Sequence, residues 1–185
     1  MKKLAFVLLV AVCCVSFISN TCAAALQKGD IVYVRSNLHA NGGTIFWHNM
    51  KMYKTIIPAG TEVKMSSRTT FVTVDTNKSF TVVANADQWD KFFVKDRNEI
   101  GLDKLSSDMK TTIDNCEVTN GMTKEEVYAS KGCPAYIAWG LKTKDKSFAD
   151  IMQSDKWYYN FNARGQDVMV TFQNGVVVKT GGFER

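Results

Sequence analysis

The segment Gly121-Met122-Thr123-Lys124-Glu125-Glu126-Val127-Tyr128-Ala129-Ser130-Lys131-Gly132-Cys133-Pro134 specifies both ends of one short helix. Thr123 and Glu126 stand at the spacing of a capping box, in which each side chain accepts a hydrogen bond from a backbone N–H that the first turn leaves unpaired. Met122 and Val127 occupy the two positions of a hydrophobic staple around that cap. Gly132 supplies a residue tolerant of positive φ at the far end, and Pro134 forbids continuation. A helix over residues 124–131 is therefore expected.

Working outward toward the C-terminus, the pattern is an antiparallel meander. Ala135 to Trp139 is a strand, and Leu141 to Ser154 is a polar, Lys-rich connection with room for one helical turn. Trp157, Tyr159 and Phe161 alternate with Tyr158 and Asn160, as in a strand with one buried face. The turn Asn162-Ala163-Arg164-Gly165 leads to Val168, Val170 and Phe172, again on one face. Asn174-Gly175 is a strong hairpin signal, and Val176-Val177-Val178 closes the sheet.

These elements, taken in order (Gly121 to Val127, Gly132-x-Pro134, Trp157-Tyr158-Tyr159, and Val170-Thr171-Phe172-Gln173-Asn174-Gly175), resemble the SmpA/OmlA (BamE-like) domain of bacterial outer-membrane assembly proteins. They also look like the wider fold group that includes the β-lactamase inhibitor protein. The resemblance spans residues 115 to 181. It implies helices packed on a three- or four-stranded antiparallel sheet, and a non-catalytic role in which the domain binds another protein of the bacterial envelope. The chain departs from the assembly lipoproteins of that family in two ways: it lacks their lipid-attachment pattern, and it carries a β-rich stretch before the helix.

Toward the N-terminus, Leu102, Leu105, Met109 and Ile113 recur at helical spacing, so residues 102–114 are expected to form a connecting helix. Residues 26–101 change period again. Ile31 to Val34, Thr44 to Trp47, Glu62 to Met65, Thr70 to Val74, Phe80 to Val83 and Phe92 to Val94 are short strands separated by turns such as Asn41-Gly42-Gly43 and Pro58-Ala59-Gly60. That spacing suits a small all-β unit, an SH3-like barrel or a sandwich. The fold class expected for the whole is α+β: this β domain, followed by a BamE-like helix and antiparallel meander over residues 115–185.

Residues 1–25 carry Lys2 and Lys3, then an apolar run from Leu4 to Ile18 interrupted only by Ser16, then Ala23-Ala24-Ala25. This is the pattern of a cleavable signal peptide, too short to cross a bilayer comfortably. The residues before Cys22 are Ser19-Asn20-Thr21, which do not suit lipidation. A periplasmic or secreted protein is expected, with no transmembrane segment in the mature chain. Removing residues 1–25 leaves 160 residues and lowers the net charge from +5 to +3. So small a surplus speaks against nucleic-acid binding.

The same removal leaves two of five cysteines, Cys116 and Cys133. In an oxidising compartment these most simply form one disulfide; two buried thiols are the alternative. His39 and His48 with Met50 and Met52 offer imidazole and thioether ligands suited to copper, but no tight ligand spacing, so no metal, cofactor or catalytic residue is assigned, and the histidines read as solvated loop residues. The acid pairs Asp145/Asp150 and Asp87/Asp90 read as surface solvation rather than acid–base chemistry.

Aromatics provide the functional lead. Trp139, Tyr136 and Tyr158 are candidates for contact with a protein partner, Tyr158 because it alternates out of phase with Trp157 and Tyr159. Lys142 and Lys144 are candidate rim contacts for an acidic partner. The function expected is a non-enzymatic binding protein of the envelope, an accessory factor in outer-membrane or envelope protein assembly. Two other classes stand beside it: an inhibitor of an envelope enzyme that uses the same sheet surface and needs a protruding loop, for which 141–154 is the long candidate, and a small-ligand carrier or enzyme with its site in the N-terminal β domain around Trp47 or His48.

Overall fold

The computed structural model describes residues 26–49, 53–85, 88–138, 140–160 and 167–182; the signal-like segment, Met50, Met52, Asp87, Trp139 and the turn after Asn160 lie outside the described residues. Among the described residues the architecture is mixed α+β and mostly β, with a curled eight-stranded sheet, a five-stranded sheet and three α-helices.

The first sheet is built from β1 (Ile31–Val34), β2 (Leu38–Asn41), β3 (Thr44–Phe46), β4 (Thr55–Ile57), β5 (Glu62–Met65), β6 (Thr70–Thr73), β7 (Ser79–Val83) and β8 (Phe93–Val94). Its strand order is β4-β2-β3-β7-β6-β5-β1-β8, and every pair is antiparallel except β3 with β7. Alternation places Val63, Met65, Phe71, Phe80 and Val82 on the inner face. There they pack with Val32, Val34, Ile45, Trp89, Phe92 and Phe93. Two strands, β2 and β4, and the 3-10 turns at Trp89–Lys91, Arg97–Ile100 and Leu102–Lys104 add to the elements expected from the sequence.

The expected connecting helix is split. Residues 102–104 form a 3-10 turn, and α1 (Ser107–Asp114) begins after Ser106, whose hydroxyl accepts a hydrogen bond from Met109 N. Ser106 is a strong N-cap, and it restarts the chain as a new helix. Helix α2 (Lys124–Lys131) has the bounds its caps specify. Glu126 N donates to Thr123 Oγ1 at 3.2 Å, and Thr123 N donates to Glu126 Oε2 at 2.7 Å. Met122 and Val127 are fully buried, as a staple requires.

The second sheet comprises β9 (Tyr136–Ile137), β10 (Leu141–Lys142), β11 (Lys156–Asn160), β12 (Asp167–Gln173) and β13 (Val176–Gly182), in the order β10-β9-β11-β12-β13, all antiparallel. Asn174 and Gly175 both take positive φ (54° and 78°), as the tight β12–β13 hairpin requires. Between β10 and β11 lies α3 (Phe148–Gln153), with its own capping box at Ser147 and Asp150. All three helices pack on one face of this sheet, where Ile113, Met122, Val127, Tyr128 and Ile151 meet Trp157, Tyr159, Val170, Phe172 and Val177.

The expected Cys116–Cys133 disulfide is not formed, and both cysteines are buried. The sulfurs face different surroundings. Cys116 Sγ lies 3.3 Å from Asn37 Nδ2, whereas Cys133 Sγ lies 3.5 Å from Thr143 Oγ1 and donates to Pro134 O at 3.4 Å. Burial pushes the Cys133 thiol up from its ordinary pKa, so it stays protonated.

Candidate functional site

Two places concentrate unusual groups: the seam between the two sheets, and the outer face of the five-stranded sheet. The seam is polar. Asn37, 1% exposed, follows β1 and points its amide into the helical unit, with Nδ2 2.6 Å from Ile113 O and 3.3 Å from Ser130 O. Its Oδ1 accepts from Ala59 N at 2.9 Å, and its own N–H donates to Ala129 O at 2.8 Å. Asn49 Nδ2 donates to Asn37 O and to Lys131 O, each at 2.7 Å. Gly132, with φ +71°, lets the backbone come this close; a Cβ there would stand 3.0 Å from Asn49 Nδ2 and 3.1 Å from Ser36 Oγ.

A second part of the seam is built around Lys91, which has no exposed surface. Its ammonium donates to Gln88 Oε1 (2.6 Å), Thr143 O (3.1 Å) and Lys144 O (3.0 Å). Tyr128 OH donates to Lys91 O, Phe148 N donates to Asp90 Oδ2, and the Arg35 guanidinium lies 4.0 Å over the Phe148 ring. Burial lowers the pKa of Arg35 and raises those of Tyr128 and Tyr159 well above the ordinary range. A buried cation that donates to Gln88 Oε1 and to two carbonyls of the 141–147 loop acts as a structural rivet. The seam therefore clamps the 141–147 loop rather than exposing a reactive group. Within that loop Thr143 is fully buried and Asp145 Oδ1 accepts from Asn85 Nδ2, while Leu141, Lys142 and Lys144 are exposed.

The outer face of the five-stranded sheet is a different surface. Register places Lys142, Tyr136, Tyr158, Met169 and Gly181 in one row across β10, β9, β11, β12 and β13. The adjacent row holds Lys156, Thr171 and Lys179. Lys142, Lys156 and Lys179 are exposed, while Tyr136 and Met169 are half-buried. Among the side chains described on this face, the charged ones are all lysines.

The structure places the sequence candidates unevenly. Tyr158 lies on the outer face as alternation requires, but at 8% exposure it is a buried member of the row and not an exposed anchor. Alternation assigns a side chain to a face; it does not say how far its neighbours cover it. Tyr136 and Lys142 are brought together across β9 and β10. Lys144 is exposed, but its backbone carbonyl belongs to the Lys91 clamp. Trp139 lies outside the described residues. Lys156 and Lys179 were missed, and their signal was available: each falls in phase with Tyr158 or Thr171 once the hairpin register is drawn.

His39 is not a solvated loop residue, whereas His48 stands half-buried in the loop after β3. His39 is 5% exposed with Nδ1 2.9 Å from Tyr53 O; His48 Nδ1 is buried without a partner, and burial lowers the pKa of that ring. Strand β2 carries His39 inward beside Asn49, which accepts His39 N at 2.8 Å. Met50 and Met52 lie outside the described residues, and among those described no group of three or more His, Cys, Asp or Glu is placed to hold a metal ion. Asp90 and Asp150 each accept backbone N–H groups around α3, so these acids cap and orient. Among the described residues no helix is long and apolar enough to cross a membrane. Comparison with protein-family models, with curated proteins and with solved structures finds no match to the chain.

Proposed function

We propose that the protein is a non-enzymatic protein-binding module of the bacterial cell envelope, which docks an acidic stretch of another envelope protein on the outer face of its five-stranded sheet. The observation that carries this reading is the array of three exposed lysines, Lys142, Lys156 and Lys179, around the row Tyr136–Tyr158–Met169. Aromatic and thioether side chains supply contact area, and a rim of one charge sign selects an acidic partner and speeds encounter. The opposite face is covered by helices, so the outer face is the one a partner can reach.

The finer assignment follows the resemblance. The capped helix 124–131, the turn through Gly132 and Pro134, and the strands around Trp157 and Asn174-Gly175 support a BamE-like domain over residues 115–185 and a role as an accessory factor in envelope protein assembly. Short strands curling around one core support an SH3-like or sandwich-like unit over residues 26–101. A periplasmic or secreted location rests on the signal-like stretch Lys2 to Ala25.

The test is capture from periplasmic extract on immobilised protein, comparing wild type with the triple variant Lys142→Glu, Lys156→Glu, Lys179→Glu. All three side chains are exposed, so the fold is spared. The expected result is an acidic protein retained by wild type, released as salt rises, and absent from the variant. Equal retention by both proteins would remove the sheet face from consideration.

A further inference from the structure

The outer face of the eight-stranded sheet carries a depression of about 620 Å³, lined by Lys28, Gly29, Lys64, Val72, Val74 and Asn77 among others. Strand register places Lys64 beside Val72 across β5 and β6, and Val74, 53% exposed, follows at the end of β6. Ile31 pairs with Lys64 on the other side, outside the lining. Lys28 enters from the segment before β1, just after Leu26 anchors that segment in the core.

The charged side chains lining the depression are both lysines, Lys28 and Lys64, and neither forms an ion pair among the described residues. The acids nearest in sequence lie outside the lining: Asp30 Oδ2 accepts from Gln27 N (2.8 Å), Asp75 Oδ1 from Thr76 N (2.7 Å) and Glu62 Oε2 from Tyr33 OH (3.4 Å). Two ammonium groups on apolar stems thus stand beside an aliphatic strip. The volume lies within the roughly 300–1,000 Å³ typical of small-ligand sites.

We infer that this depression binds a small amphiphilic anion: one carboxylate- or phosphate-like head between Lys28 and Lys64, on an apolar body lying along Val72 and Val74. An inorganic anion alone would leave the aliphatic strip in water, and a neutral apolar molecule would leave both ammonium groups without a counter-charge. The lining includes no aromatic side chain on which a nucleic-acid base could stack. This site lies on the other sheet from the lysine face proposed to dock a protein, so the two readings succeed or fail independently.

The experiment uses laurate below its micellar concentration as the probe, with acetate and dodecyltrimethylammonium as controls, read by amide chemical shifts and titration calorimetry. Laurate is expected to give saturable shifts confined to residues 28–29, 64–66 and 72–77, with acetate producing none. The variant Lys28→Glu, Lys64→Glu is expected to bind laurate roughly tenfold more weakly, as loss of two exposed ion pairs predicts. Val74→Asp, at an exposed position, is expected to weaken it similarly while leaving the fold intact. Equal binding of the cationic amphiphile, shifts with acetate alone, shifts mapping elsewhere, or laurate binding unchanged in the charge-reversed protein would each overturn the assignment.

Discussion

At the scale of single residues, Asn37 shows how much one side chain can hold. It has almost no exposed surface, yet its amide and backbone together meet partners from α1, α2, the turn before β5 and Asn49. Replacing it with alanine leaves Ala59 N–H without its acceptor and removes one of the donors to Ile113 O, which keeps Cys116 N at 2.8 Å. One unpaired buried group costs about 1–3 kcal/mol, so Asn37→Ala is expected to lose about that much in urea unfolding. Tyr128 and Tyr159 make the complementary case through protons. Burial holds both phenols protonated in the folded state, while the unfolded chain releases those protons near pH 10. Stability is therefore full below about pH 10 and falls as pH rises beyond it. Absorbance at 295 nm should show these two of the six tyrosines ionising only as far-UV circular dichroism is lost. Free ionisation of all six in a folded protein would contradict their burial.

At the scale of elements, what could be read from sequence was what local chemistry decides. Helix α2 was legible to the residue because its caps, staple and terminal glycine lie within one short segment, and Asn174-Gly175 announced its hairpin for the same reason. Thr123→Ala is expected to cost about 1 kcal/mol, the usual loss for an N-cap, with thermal unfolding as the measure. Gly132→Ala should cost more than the cap, because it combines strain at φ +71° with a 3.0 Å approach to Asn49 Nδ2. Strand β2 was hidden because Leu38, His39 and Ala40 are all buried, so no alternation marks it, and β4 is only three residues long. Helix α3 falls where the polar connection leaves room for one helical turn, and the cap at Ser147 and Asp150 fixes its start. On the candidate face, alternation put Tyr158 on the correct side and said nothing of the neighbours that cover it. The state of Cys116 and Cys133 depends on where two distant turns bring their sulfurs, which spacing along the chain does not determine.

At the scale of the whole molecule, the two sheets keep separate apolar cores, and the hydrogen bonds between them include those of Asn37, Asn49, Lys91, Asp90 and Asn85. Apolar surfaces could slide over one another, but this seam has directional bonds and fixes one relative placement. The protein should therefore unfold in a single cooperative transition despite its two cores. Lys91→Met tests where that coupling resides. The substitution approximates the stem and removes the charge, so the desolvation cost of a buried ammonium disappears together with its bonds. Total stability is thus expected to change by only about 1–3 kcal/mol, because these terms oppose one another. The loop is affected more than the sum suggests, since Thr143 O and Lys144 O lose the donor that ties them to the first sheet. Hydrogen exchange should accelerate at Thr143 and Lys146, whose amides donate to Ala135 O and Thr143 O, while amides of β5 and β6 keep their protection. Denaturation followed separately by tryptophan fluorescence and far-UV circular dichroism should then no longer coincide. If exchange in the loop and the coincidence of the two probes both survive the substitution, Lys91 is not what joins the two sheets.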